Sequence, residues 1–303
     1  MLAPRSLLLV ATLTSMVSAD PSESPVAAPS AELPAAPLRR VERVLIISED
    51  GLRPDLISGA HLPWHEALYH HGAYSWKART IRTASTLPSH AAMLSGFDVG
   101  AHGLTWNNWK PRRGYIRVPT IFEQAEEHGL RTAMFVGKFK LRHIATPGTV
   151  DVFERPGYFC KKVAEGAASY LVSEKPPLAF VHFSDPDDAG HSKGWASESY
   201  LQSLQQTDRC LGIIVDALDR AGLTEETLII ISADHGGHGH THSGARLVDR
   251  EIPWIAHGPG VREDYHIRGP ISTLDTAATA LYALGLPMSD AIQGKPLMEI
   301  FTE

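Results

Sequence analysis

Ser232-Ala-Asp-His-Gly-Gly-His-Gly-His-Thr-His-Ser-Gly244 follows directly on the apolar run Leu228–Ile231. Read as a buried strand, that run delivers Asp234 and His235 at its carboxyl end. In open α/β sheets the crevice beyond the carboxyl ends of the strands is where ligands and chemistry gather. Imidazole nitrogens beside a carboxylate suit zinc or a similar transition metal. By itself the stretch also fits a solvated His/Gly loop, so its reading depends on what the other strands deliver.

Working outward, the same pattern recurs. Val44-Leu-Ile-Ile-Ser48 is a short apolar run of the kind that forms a buried parallel strand, and Glu49-Asp-Gly-Leu-Arg-Pro54 follows it. Leu178-Ala-Phe-Val-His-Phe183 leads into Ser184-Asp-Pro-Asp-Asp-Ala-Gly-His191. Arg131–Val136 and Ile252–Ala256 read as further strands. Pro119–His128, Val163–Ser173, Ser197–Ala221 and Thr273–Leu284 carry helical periodicity, and Gly129, Gly222 and Gly285 follow three of them as stops. This alternation predicts an α/β fold, a mostly parallel central sheet with helices on both faces. With no internal repeat and no later boundary, residues 41–303 read as one domain. The strand ends of such a sheet share an edge, so Asp50, Asp187, His191, Asp234 and His235 should converge. Singly each has a plain reading: Asp50-Gly51 as a turn, Asp185–Asp188 as a solvated acidic loop, His191 as a surface histidine. Jointly they suffice for two metals.

A second element is Thr83-Ala-Ser-Thr-Leu-Pro-Ser-His90, with Pro88 at a first helical position and Gly96 as a stop. Arg79–Leu87 before it has mixed period. Thr86, just ahead of the expected helix start, meets the partial positive charge of backbone N–H groups. Beside a metal its hydroxyl becomes a nucleophile toward phosphorus or sulfur; without one it is an ordinary N-cap.

The chain has 303 residues, 43% hydrophobic and 20% charged, an ordinary globular composition. A net charge of −6 gives no support for binding a nucleic-acid polymer or an anionic membrane, so a small anionic substrate must be held by local positive charge. Residues 1–19 have the form of a signal peptide: Arg5, an apolar stretch Leu7–Val17, and Val17-Ser-Ala19 for cleavage. That stretch is too short for stable membrane insertion. Residues 20–40 are a Pro/Ala/Ser-rich linker, and export to a periplasm or the outside is the expectation. Cys160 and Cys210 fit either one disulfide or two buried free thiols, and both readings stay open.

Asp50-Gly-Leu-Arg-Pro54, Thr86-Leu-Pro-Ser-His90, Pro186-Asp-Asp-Ala-Gly-His191 and Asp234-His-Gly-Gly237 together resemble the signature of the alkaline phosphatase superfamily. They look most like its type I phosphodiesterase/nucleotide pyrophosphatase branch, and the resemblance runs from about Arg43 to Phe301, including Asp275 and Gln293-Gly-Lys-Pro-Leu297. It implies one metal site from Asp50, Thr86, Asp234 and His235, and a second from Asp187, His191 and a histidine of the 238–242 cluster. His242 best matches the family position, with His240 and His238 in reserve. It further implies a phospho-threonine intermediate on Thr86 and a phosphoryl-oxygen contact from Asn107. The implied cofactors are two divalent ions, zinc from the ligand mix or manganese from its carboxylates.

Departures from the family pattern bear on the substrate. Glu49 stands where an apolar residue suits a buried strand. The second site's last histidine follows Asp234 closely, and the chain is short, so no large cap insertion is expected. Trp106, Trp109, Lys110, Arg112 and Arg113, near Asn107, suit either a leaving-group pocket or a solvated basic loop. Lys138 suits either a contact to the substrate anion or a surface position. The expected activity is hydrolysis of phosphodiester or nucleotide pyrophosphate bonds, with a phosphomonoesterase or phosphonate hydrolase as the sister alternatives. A sulfatase is disfavoured, because Thr86 cannot form its aldehyde nucleophile and His90 replaces its arginine. A cytosolic sugar-phosphate mutase conflicts with the amino terminus, and a non-catalytic metal-binding module is the remaining class.

Overall fold

Seven strands of the central sheet run one way and one runs against them. In this computed structural model, which describes residues 41–242 and 246–302, the chain runs through β1 (Arg43–Glu49), α1 (Pro63–His70), β2 (Ala73–Arg79), α2 (Thr86–Ser95), α3 (Val99–His102) and α4 (Ile121–Glu127). Next come β3 (Thr132–Val136), β4 (Val152–Glu154), α5 (Cys160–Glu174), β5 (Leu178–Phe183), α6 (Asp185–Lys193) and α7 (Glu198–Arg220). It closes with β6 (Thr227–Ser232), α8 (Leu247–Arg250), β7 (Glu251–His257), β8 (Tyr265–His266) and α9 (Asp275–Ala283). The sheet order is β4-β3-β5-β1-β6-β7-β2-β8. Only β7 is antiparallel, paired on both sides with β6 and β2. The mostly parallel α/β architecture is as expected, and no large insertion interrupts the described residues. The segments read as signal peptide and linker, 1–19 and 20–40, lie outside them.

The sheet separates two apolar layers. Along β1, Val44 and Ile46 join one core cluster while Leu45 and Ile47 join the other, the period-two alternation of a strand covered on both faces. Each of these four side chains is essentially inaccessible, and full burial of one contributes about 1.5–3 kcal/mol. On the second face α5 and α7 pack together, and Cys160, the first residue of α5, is disulfide-bonded to Cys210 in α7 with Cα atoms 5.9 Å apart. Of the two readings left open for the cysteines, the disulfide holds.

Local chemistry explains several element ends. The Thr120 side chain accepts from the Glu123 N–H and starts α4 two residues later than Pro119 suggested. Ser197 caps α7 through the Tyr200 N–H. Three expectations shift. The segment of mixed period is mainly loop, and the strand beside it is β2, ending at Arg79. The helix carrying Thr86 begins at Thr86, with Ser85 as N-cap, so the threonine is its first residue and Pro88 its third. The acidic segment Asp185–Asp188 is helical, not a loop: it opens α6, with Pro186 in the first turn and three aspartates at the positive end of the helix dipole.

Candidate metal centre

Register places the candidate ligands. Ser48 of β1 lies opposite His182 of β5 and Ser232 of β6, so the three central strands end level with one another. Asp50 and Asp234 each follow two residues after these positions, while α6 presents Asp187 and His191 one helical turn apart on a single face. Gly51 locks the first of these ends. Its φ is +75°, and a Cβ there would stand 3.1 Å from the Asp187 Cα. Its N–H donates to Asp234 Oδ1 at 3.1 Å, and its carbonyl accepts from Trp195 Nε1 at 3.0 Å and Tyr200 Oη at 2.7 Å. The backbone after Asp50 is thus tied to β6, to the Trp195 loop and to α7 at once.

Two groups of three ligand-type residues result. Asp50, Asp234 and His235 are fully buried, and each offers an atom within 4.8 Å of the others; Asp187, His191 and His242 form the second group by the same measure. Of the three histidines left open for the second group, His242 is the one that lies beside Asp187 and His191. His238 Nδ1 sits 2.6 Å from Asp249 Oδ1, and His240 engages His191 through its backbone carbonyl and its Nδ1.

The orientation of these groups fits cations. His242 Nδ1 faces the Ala84 carbonyl at 2.7 Å, and His191 Nδ1 faces the His240 carbonyl at 2.9 Å. A ring nitrogen facing a carbonyl must carry the proton, so in the neutral rings both Nε2 atoms present lone pairs, 3.1 Å apart. His235 does the same: Nδ1 faces the Gly236 carbonyl, and Nε2 lies 3.4 Å from Asp50 Oδ1 and 3.3 Å from Asp234 Oδ2. His235 Nε2, Asp50 Oδ1, Asp187 Oδ1 and Asp234 Oδ2 are all buried without a hydrogen-bond partner. Each bare buried polar atom costs about 1–3 kcal/mol, so four converging on one place call for a positive ligand. Backbone carbonyls holding the far ring nitrogen are also what orients metal-binding histidines.

Lys138 is neither at the surface nor free. Its Nζ donates to Asp50 Oδ2 at 2.7 Å and to Asp187 Oδ2, joining the two groups. Burial works against ionisation of Asp50, but Lys138, His182 and His235 outweigh it and hold that carboxyl well below the usual range. Asp187 is likewise low: burial and Asp50 raise it, while the nearby His191, 3.3 Å away, with Lys138 and His235, pulls it further down. Burial would lower the Lys138 ammonium, yet Asp50 and Asp187 drive it upward. Both carboxylates are therefore in the ligand form.

Thr86 lies in the wall of a cavity of about 430 Å³ together with Asn107, Lys138, Asp187, His191 and His242. Asn107 Oδ1 accepts from the Leu87 N–H at 2.9 Å and from Lys140 Nζ at 3.2 Å. Two donors at that oxygen fix the amide, leaving Nδ2 as the group available to an anion in the cavity. The fully buried His90 holds the base of α2. Its Nδ1 is 2.7 Å from the Thr86 carbonyl, and its Nε2 2.8 Å from Ser48 Oγ. Although Asp234 Oδ2 is 3.5 Å away, burial dominates and lowers His90 to about 4, so it is neutral near pH 7.

The structure also revises what surrounds Asn107. Of the residues suggested for a leaving-group pocket only Trp109 lines the cavity; the Arg113 guanidinium instead covers the Trp106 ring at 4.9 Å. Two further residues bear on the site that no sequence motif singles out. His182 in β5 has Nε2 2.9 Å from Asp50 Oδ2, and Lys140 braces Asn107. A polar residue inside the apolar run Leu178–Phe183 was the available signal for the first; nothing local marked the second.

Residues 44–253 match the model of the type I phosphodiesterase/nucleotide pyrophosphatase family. Ectonucleotide pyrophosphatase/phosphodiesterase family member 7 of Mus musculus is similar at 23% identity over 225 residues, covering 66% of this chain and 51% of that protein. The chain spans about half the length of the curated relatives it matches. Murine ectonucleotide pyrophosphatase/phosphodiesterase 5, an inactive form in complex with AMP, has a similar structure with a TM-score of 0.72 at 13% identity, covering 86% of this chain and 100% of that one. Phosphonate monoester hydrolase from Silicibacter pomeroyi shares the fold at a TM-score of 0.67 and 15% identity, over 86% of this chain and 76% of that one. By the extent of the family match, the chain belongs to the type I phosphodiesterase/nucleotide pyrophosphatase family.

Proposed function

We propose that this chain is an exported two-metal hydrolase of phosphodiester or nucleotide pyrophosphate bonds, acting through a phospho-threonine intermediate on Thr86. The observation that carries this reading is the meeting of Thr86, Asn107 and the second ligand group in one cavity, a group joined to the first by Lys138 and by the stacked His235 and His242 rings. Asp50, Asp234, His235 and the Thr86 hydroxyl would hold one ion; Asp187, His191 and His242 would hold the other. Zinc is the ion this imidazole-rich set favours. When bound, the pair supplies charge neutralisation and a lowered proton affinity for the Thr86 hydroxyl.

The chain's own residues do the rest. Thr86 Oγ, giving up its proton, attacks phosphorus in line with the leaving oxygen; the Oγ–P bond forms as the leaving-group bond breaks, the leaving oxygen takes up a proton, and water later cleaves the Oγ–P bond, restoring the Thr86 hydroxyl and releasing the phosphomonoester. Asn107 Nδ2 and the Thr86 N–H, at the start of α2, donate to the phosphoryl oxygen as its charge grows. Export is supported by the form of residues 1–19 and by the ectoenzyme names of the relatives; no described helix is long and apolar enough to cross a membrane.

The test is metal analysis combined with hydrolysis of matched chromogenic phosphate diester, monoester and sulfate ester substrates, with and without chelator, on wild type and Thr86→Ala. Two metals per chain, a chelator-sensitive preference for the diester, and a Thr86→Ala chain that keeps metal but loses turnover are expected. Turnover surviving Thr86→Ala would remove the nucleophile assignment. Monoester preference would move the activity to a sister branch, and no metal with no turnover would leave a binding module.

A further inference from the structure

Three cationic side chains line the cavity, Lys138, Lys140 and Arg155. The charge of Lys138 is already answered by Asp50 and Asp187. Lys140 and Arg155 differ: among the described residues no carboxylate pairs with either. Lys140 spends one donor on Asn107 Oδ1, and Arg155 spends Nε on the Gly137 carbonyl at 2.8 Å. The remaining N–H groups of both are uncommitted.

Topology explains why they stand together. β3 and β4 pair in parallel, with Phe135 opposite Glu154, so their carboxyl ends lie side by side. One end releases Gly137 to Lys140, and the other releases Arg155. Lys140 donates to Asn107 Oδ1, so, with Thr86 and Asn107 read as the phosphoryl site, the cationic groups begin beside that site. Burial and the neighbouring Lys138 lower the affinity of Lys140 for its proton and outweigh the opposing pull of Asp50, Asp187 and Asp234, none of which it bonds directly. A ligand anion favours the charged form through charge-assisted bonds. A simple diester brings one negative charge, which the phosphoryl site already takes.

We propose that Lys140 and Arg155 form a subsite for a second anionic group, a phosphate or a carboxylate, carried by the substrate a few bonds from the scissile phosphorus. The subsite rests on the reading of the Thr86 cavity as a phosphoryl site. It selects among phosphate esters: a doubly anionic substrate is engaged at both sites, a neutral-tailed diester at one.

The test uses the full metal-loaded chain hydrolysing bis(4-nitrophenyl) phosphate, with three inhibitors: methylphosphonate, methylenediphosphonate and phosphonoacetate. The first has no second anion; the others add a phosphonate or a carboxylate. Direct binding is measured alongside by calorimetry. In wild type at least one bis-anion should bind about tenfold tighter than methylphosphonate, the scale of one charge-assisted contact. Which of the two wins separates a phosphate from a carboxylate partner. In Arg155→Met and in Lys140→Met the ratio should fall to about threefold or less. No advantage in wild type overturns the subsite, as does an advantage that persists in both variants, which chelation of the metals alone would produce. Ester turnover without any bis-anion advantage defeats only the subsite; absence of ester turnover and of methylphosphonate binding defeats the underlying reading as well.

Discussion

His65 Nδ1 lies 2.7 Å from Asp208 Oδ1, and on its other side Nε2 lies 3.0 Å from Glu49 Oε1, with all three side chains buried. Glu49 is the residue that looked misplaced in an apolar strand, and this contact is its reason. Asp208 also accepts from the Trp64 and His65 N–H groups, so the network ties the start of α1 to α7 and to the end of β1, one residue before Asp50. Burial opposes charge on His65, but Glu49 and Asp208 outweigh it and raise the imidazole to about 10. The unfolded value is about 6.5. The stabilisation is therefore fully present below about 6.5 and lost as pH rises toward 10. Denaturant unfolding across that window should show declining stability, and His65→Gln should flatten the decline while costing about 3–5 kcal/mol at neutral pH, as for a broken buried pair. An unchanged pH slope in the variant would contradict the assignment.

Asn107→Ala should reduce kcat by about 10²–10³ while leaving metal content intact, because one donor to the developing charge is lost and no ligand is. Steady-state kinetics with metal analysis on the same sample reads both. A change confined to KM would place Asn107 in ground-state binding instead.

His242→Ala should lower tightly held metal from two ions per chain to one, since its Nε2 meets His191 Nε2 and no other described histidine takes that place. His238→Ala should keep two, because His238 is occupied with Asp249. Elemental analysis after dialysis distinguishes them. Loss of metal from His238→Ala alone would transfer the ligand role.

Opening the Cys160–Cys210 bond, which spans 50 residues of sequence, should cost about 2–4 kcal/mol. Unfolding in urea, with and without reductant, measures this. The bond lies on the second face of the sheet, among the apolar side chains between α5 and α7, so Cys160→Ala with Cys210→Ala should retain both metals. A metal-depleted but well-folded double variant would show that the bond also shapes the centre.

Much of the architecture was written in local pattern. Runs such as Val44–Ile47 and Leu228–Ile231 have the length and β-branched content of strands buried on both faces, and in a parallel sheet their carboxyl ends share an edge. Asp50, Asp234 and His235 were therefore placed by the sequence alone, as was the helix of Thr86 to within two residues. The expected mostly parallel sheet follows from the same alternation. What failed was local in a different way. α6 is mostly polar and interrupted by Pro186 and Gly190, so no hydrophobic period announced it; it packs on α7, and Lys138 bonds its Asp187. β2 sits near the sheet edge, where burial is partial and the signal weak.

The sequence determined which residue types reach the crevice, because strand period and glycine stops are properties of short segments. Only the tertiary structure decided which histidine lies beside Asp187 and His191, that Lys138 lies between two carboxylates, and that Glu49 answers His65. Those outcomes depend on side chains distant in sequence, 183 residues apart for Gly51 and Asp234. Burial and charge act through space, and no local period records them.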